Sequence, residues 1–162
     1  MTETVLFLCT GNSARSILAE CVLNTMAAGR FRAVSAGSQP AGTVNPFALE
    51  LLDSKGLDTG GLYSKSWDAF AEHAGGQDID IVITVCDSAA AETCPVWPGH
   101  PLSAHWGLPD PAAVTGSDAD KRVAFEAVFD ALEARIAAFL DLDWTQLDRA
   151  TRRAELQRIG NR

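Results

Sequence analysis

The chain has 162 residues, enough for one domain with a substantial core. Its 13 basic and 21 acidic side chains leave a formal charge of −8, which excludes nucleic acid and anionic membrane as general partners. No stretch approaches the roughly 20 apolar residues of a membrane span, and the first residues carry no basic region with a signal-peptide core. A cytoplasmic protein is expected. In a reducing compartment its four cysteines are candidates for catalysis or redox exchange, not for a disulfide framework.

The apolar run Val5-Leu6-Phe7-Leu8 predicts a buried strand that stops at Cys9. A loop of small and polar residues follows, Thr10-Gly11-Asn12-Ser13-Ala14, and then Arg15. A helical pattern opens at Ser16 and runs over residues 16–28 to a capping Gly29. Strand, tight loop and helix N-terminus together make an anion site, because loop N–H groups and the first free helix N–H groups point into one hollow. The helix dipole favours negative charge there. Cys9 lies at the base of that hollow, where the surroundings favour the thiolate. Arg15 closes it with a planar fork suited to a tetrahedral oxyanion. The stretch reads as a nucleophile beneath an oxyanion cradled by Thr10, Gly11, Asn12, Ser13, Ala14, Arg15 and Ser16.

Residues 31–36 predict a second strand, and 37–42 are turn material. Asn45-Pro46 opens a second helix with Phe47 and Leu49 to Leu52 as apolar positions. After a Gly-rich connection, residues 66–70 form a short helix over the surface. A β-branched run over residues 79–85 is the third strand, and it ends at Cys86 as the first ends at Cys9. Residues 87–98 are loop, and a short fourth strand falls within 100–105. Pro109 and Pro111 hold Asp110 in a rigid, extended loop. Ser117 caps a long helix with Asp120 as capping-box partner, and Phe125, Val128, Phe129, Leu132, Ile136 and Phe139 form its core stripe. Asp143 is read as the cap of a final helix over 144–159, lying on the surface or at an interface. Cys21, among Leu18, Val22 and Met26, reads as core packing.

Strands alternating with helices predict an α/β domain: a central four-stranded parallel sheet flanked by helices on both faces. The active crevice of such a sheet lies beyond the carboxyl ends of its strands, where Cys9 and Cys86 both sit. A nucleophile beneath an oxyanion needs a proton donor for the leaving oxygen, and Asp110 is the candidate. A zinc site from Cys86, Cys94, His100 and His105 fits none of the usual structural-zinc spacings, so neither a metal nor another cofactor is expected.

The loop from Cys9 to Arg15, with Ser16 after it and this close to the N-terminus, resembles the low-molecular-weight protein tyrosine phosphatase family. Within that family the segment from His105 to Pro111 looks closer to the arsenate reductases, and Cys86 and Cys94 match the positions of the relay cysteines in the thioredoxin-coupled ones. The resemblance covers nearly everything from Val5 to Phe139. It implies a low-molecular-weight phosphatase-like fold over residues 1–142, with 143–162 a helical extension packed on the same domain. It implies arsenate as the oxyanion substrate, Asp110 as general acid, and Cys86 and Cys94 as the thiols of a relay. A Cys9–Cys86 disulfide would form first and pass to Cys86–Cys94, to be reduced by thioredoxin, with glutaredoxin and glutathione as the alternative. Some relatives bind potassium beside the anion loop; Asn12, Glu20 and Ser35 match three of its ligands, and Lys65 stands in place of the fourth, an Asp. The Lys65 ammonium is therefore expected to replace the cation and pair with Glu20. Ala14 stands where some relatives carry another cysteine. Two alternatives remain at this point: a phosphatase acting on phosphotyrosine or aryl phosphates, in which Cys86 and Cys94 are dispensable, and an oxyanion- or arsenite-binding sensor using three cysteines. The acidic chain offers a sensor no basic face for DNA.

Overall fold

A computed structural model describes residues 2–71, 78–87, 97 and 99–161. Cys94 and most of the 87–98 loop lie outside the described residues. Four strands carry the apolar runs: β1 (Glu3–Cys9), β2 (Phe31–Gly37), β3 (Ile81–Thr84) and β4 (Leu102–His105). They pair in parallel throughout, in the order β2-β1-β3-β4. β1 is therefore laddered on both edges, with Val5 opposite Ile81 and Leu8 opposite Thr84 on the β3 side. Successive side chains of β1 point to opposite faces. Val5 and Phe7 enter the larger core beneath the helices, and Leu6 and Leu8 enter a second one with Val34, Val82 and Trp97. All four residues from Val5 to Leu8 are fully buried, which is why this strand reads as a continuous apolar run rather than an alternating one.

The helices are α1 (Arg15–Met26), α2 (Pro46–Ser54), α3 (Asp118–Leu140) and α4 (Arg149–Gly160), with short 3-10 turns at Trp67–Phe70 and Pro111–Ala113. α1 ends two residues earlier than its pattern suggests: Ala28 and Gly29 both take positive φ, so the left-handed turn begins before the glycine. α3 starts at the expected capping box, with the Asp120 N–H donating to Ser117 Oγ and the Ser117 N–H to Asp120 Oδ2. Its six-residue apolar stripe is buried throughout. The third strand is shorter than its β-branched run, for the ladder covers only Ile81–Thr84 although Ile79 and Val85 are also buried.

The final helix corrects the sequence reading at its start. Asp143 does not cap it; its carboxylate takes the Thr145 hydroxyl in a turn, and Asp148 is the cap, accepting from the Thr151 N–H at 2.8 Å. The reason is Trp144, which is buried against Phe31 and Phe139 and donates its indole N–H to the Phe139 carbonyl, so the chain cannot enter a helix there. α4 is exposed along most of its length and packs on the domain by one narrow face. Leu156 and Ile159 are fully buried, the Leu156 carbonyl accepts from Trp106 Nε1 at 2.9 Å, and Gly160 lies directly on the His105 carbonyl. A Cβ at Gly160 would stand 2.6 Å from Trp106 Cδ1, so the docking requires glycine. Trp106 is thereby locked in the core and is no wall of the crevice.

Candidate active site

The loop between β1 and α1 closes over the Cys9 sulfur. Its carbonyl groups are turned outward by partners from the next connection: Gln39 N–H donates to Thr10 O, Ala41 N–H to Gly11 O and Asn45 N–H to Ser13 O, at 2.9–3.0 Å. In a trans peptide the N–H points opposite to the carbonyl, so each outward carbonyl turns the following N–H inward. The Asn12 N–H accordingly reaches Cys9 Sγ at 3.2 Å. Ser16, in the first turn of α1, puts its hydroxyl 2.9 Å from the same sulfur. These donors and the helix N-terminus favour a bound oxyanion.

Asn12 holds the loop from beneath. It takes φ 45°, a left-handed conformation that Asn tolerates better than most residues, and it is fully buried. Its Nδ2 donates to Ser16 Oγ at 2.8 Å and to Ser35 Oγ at 2.9 Å, while Oδ1 accepts the Lys65 N–H at 2.9 Å. Because Ser16 Oγ accepts from Asn12, its own proton is free to point at the Cys9 sulfur. Ser35 Oγ in turn donates to Glu20 Oε1 at 2.6 Å. Side chains on α1, β2 and the segment at Lys65 are thus joined in one polar network to the nucleophile. Lys65 Nζ lies 3.7 Å from Glu20 Oε1, donates to the Tyr63 carbonyl and sits over the Tyr63 ring. Burial raises Glu20 above the ordinary carboxylate range, against the Ser35 bond and the Lys65 charge, and burial also lowers Lys65, against Glu20.

Two residues of this construction were not singled out as functional in the sequence. Gly37, assigned only to a turn, ends β2 against the anion loop: a Cβ there would crowd Thr10 O and stand 2.9 Å from Cys9 O and 3.0 Å from Asn12 N. Ser64 donates to Gly11 O and accepts from the Gly42 N–H. Neither has a local motif; both act by close approach of distant segments.

Arg15 opens α1 and donates Nη1 to the Leu108 carbonyl at 2.9 Å, with Nη2 3.7 Å from Asp110 Oδ2. Asp110 also caps the following 3-10 turn by accepting the Ala112 N–H, and its side chain stays partly exposed beside Arg15. The segment from His105 to Asp110 is braced from α3, where buried Arg135 donates to the Gly107 carbonyl at 3.2 Å. Cys86 is buried just past the end of β3, with its sulfur 3.7 Å from Thr10 Oγ1. The structure thus brings Cys9, Arg15, Asp110 and Cys86 to one end of the sheet. Cys94 is outside the described residues. Cys21 packs in the larger core, where burial, with Glu20 and Asp58 nearby, pushes its thiol up to about 11. Among the described residues no group of three or more His, Cys, Asp or Glu is placed to hold a metal ion. No described helix is long and apolar enough to cross a membrane.

Residues 4–153 match the family described as low molecular weight phosphotyrosine protein phosphatase. The arsenate reductase of Bacillus licheniformis is 35% identical over 139 residues, spanning 86% of this chain and 96% of its own length. A solved arsenate reductase in a phosphate-binding state is 29% identical, with a TM-score of 0.64 over 84% of this chain and 98% of its own. The thioredoxin-dependent arsenate reductase of Corynebacterium glutamicum is 25% identical, with a TM-score of 0.60 over 84% of this chain; the match spans 59% of that protein's chain.

Proposed function

The chain belongs to the low molecular weight phosphotyrosine protein phosphatase family, and we propose that within it this protein is a cytoplasmic arsenate reductase whose electrons come from its own thiols. The observation that carries this reading is the second buried thiol: Cys86 leaves the strand adjacent to that of Cys9 and rests against Thr10, a residue of the anion loop itself. A phosphatase has no use for a thiol there.

The Cys9 thiolate attacks arsenic while the inward N–H groups and Arg15 hold the oxyanion, and Asp110 gives its proton to the departing oxygen. A Cys9–S–As bond forms and water leaves. The Cys86 thiolate then attacks the Cys9 sulfur: an S–S bond forms, the S–As bond breaks, and its electron pair stays with arsenic, which departs as arsenite. Two thiols are oxidised and arsenic is reduced by two electrons. Cys94 attacks Cys86 and carries the disulfide outward, where thioredoxin, or else glutaredoxin with glutathione, reduces it. Lys65 supplies the positive charge beside Glu20, a place its ammonium fits and a metal ion would have to share with it. Replacing sodium by potassium should therefore leave activity and melting temperature unchanged, and a strong potassium effect would contradict this role.

The deciding assay is arsenate-dependent NADPH oxidation with thioredoxin and thioredoxin reductase, comparing the wild type with Cys94→Ser. Turnover that collapses in the variant supports the relay. Turnover that survives in it, or that requires glutaredoxin and glutathione, reassigns the last thiol or the reductant. Absence of arsenate turnover beside brisk aryl-phosphate hydrolysis would replace the reading with a phosphatase built on Cys9, Arg15 and Asp110.

A further inference from the structure

The turn that carries Cys86 is bracketed by Thr84 and Asp87, and one side chain joins the two. His105, the last residue of β4, places Nδ1 2.7 Å from Thr84 Oγ1 and Nε2 2.8 Å from Asp87 Oδ1. The imidazole therefore spans the backbone on either side of the thiol. Asp87 is 94% exposed, so directed bonds rather than burial bring it to the ring. Backbone bonds run alongside, from Trp106 N–H to Thr84 O at 2.7 Å and from Leu108 N–H to Val85 O at 3.2 Å. Gly107 lies over the pair: a Cβ there would stand 2.8 Å from His105 Nε2 and 3.1 Å from Asp87 Oδ1, so a larger residue would have to displace one of them. Behind it, the His105 N–H faces Gln157 Oε1 at 3.4 Å and its carbonyl rests on Gly160.

The hydrogen-bond inventory fixes where one proton of the ring sits. An ionised Asp87 only accepts, so Nε2 carries a proton. Nδ1 then accepts from the Thr84 hydroxyl in the neutral ring or donates to it in the imidazolium. In the second case the hydroxyl turns to Ala104 O, 3.5 Å away. Both charge states keep both bonds.

We infer that His105 is a positioning residue for Cys86: by tying Thr84 to Asp87 across that cysteine, it holds the thiol against Thr10 and the Cys9 loop, aligned for attack on the Cys9 sulfur. The inference rests on the reductase reading above. His105 touches neither substrate nor reacting sulfur and acts on the second step alone, in which the Cys9–Cys86 bond forms, the Cys9–arsenic bond breaks and arsenic takes the electron pair. Formation of the Cys9 adduct does not depend on it.

The test is a single turnover of the reduced protein with arsenate and no external reductant, in a Cys94→Ser background that stops the relay at Cys9–Cys86. Thiol loss is followed over time, from three thiols per chain to one. Asp87→Ala should slow the loss about fivefold, the most that so exposed a pair can supply. Asp87→Asn, whose Oδ1 still accepts from Nε2–H, should restore the rate to within about twofold on the same reasoning. Gly107→Ala, which forces the pair apart, should reproduce Asp87→Ala. The rate of Cys9 alkylation by iodoacetamide, read on its own peptide, and its protection by phosphate should stay unchanged in all three. An Asp87→Ala rate equal to the parent's, no rescue by Asn, or equal loss of Cys9 alkylation would overturn the inference. If the parent itself loses no thiols on adding arsenate, the reductase reading falls and takes this inference with it.

Discussion

Replacing Asn12 probes whether the anion loop is held from beneath. Asn12→Ala removes three side-chain hydrogen bonds, to Ser16, Ser35 and the Lys65 N–H. Such bonds contribute about 1 kcal/mol each. The two hydroxyls have other partners, Cys9 for Ser16 and Glu20 for Ser35, so only the Lys65 N–H is left stranded. Alanine must also hold the φ of 45°, at roughly 1 kcal/mol for a residue without a side chain to bond locally. Taking about 1 kcal/mol for the stranded N–H and about 0.5 for each bond to a hydroxyl that keeps another partner, the loss comes to about 3 kcal/mol for alanine and about 2 for glycine, which takes that φ freely. In a chain of this size 3 kcal/mol lowers the melting temperature by roughly 6–12 °C. Urea and thermal melts of Asn12→Ala and Asn12→Gly, with and without phosphate, read both numbers. Glycine should be the more stable of the two, and both should lose most of the stabilisation that phosphate confers. An alanine variant within about 1 kcal/mol of the wild type, the size of one such bond, or a glycine variant less stable than alanine, would refute the argument.

Gly37→Ala should weaken phosphate and arsenate binding at least about tenfold by pushing β2 off the loop, a few tenths of an ångström being enough to misdirect donors; unchanged affinity by titration calorimetry would show that the close approach is unnecessary. Cys21 titrates near 11 in the folded chain against an ordinary 9.0, so the unfolded chain loses its proton first. Its contribution to stability is complete below pH 9 and is lost as pH rises through 11, in all about 3 kcal/mol. Urea melts across that range should show a shallower alkaline decline for Cys21→Ser, and parallel curves would count against the burial argument. Gly160→Ala should cost about 2 kcal/mol by overpacking and alter the near-UV signal of Trp106, whereas a silent substitution would mean that α4 docks more loosely than its contacts indicate.

What was legible in the sequence was what is local. The strand into Cys9, the loop to Arg15 and the capping box at Ser117 are each written within a few residues, and the stripe on α3 within one helix. Asn12, Glu20, Ser35 and Lys65 were brought together only by the resemblance; Ser35 and Lys65 come from β2 and a later connection, so no local signal marks Asn12 as the hub of the network. The way α4 docks had no signal for a related reason. Its apolar positions are few, and it docks through a glycine and a main-chain carbonyl, features no periodicity reports. Trp106 had no place in the sequence reading because its partner is that same carbonyl. The third strand was drawn too long because burial continues where pairing stops.

The outward turn of the loop carbonyls has a consequence for how the protein comes into being. Every group that sets them, Gln39, Ala41, Asn45 and Ser64, lies far downstream of Cys9, as do the Lys65 N–H and the β3 edge that pairs with β1. Contacts of such sequence separation are costly to close and form late. A chain emerging from its N-terminus therefore exposes the nucleophile's strand first and its donors only after most of the domain has been made. The sulfur's reactivity is not an attribute of the short motif that announces it but of the finished sheet, and the rate of Cys9 alkylation would serve as a clock for the arrival of the native state.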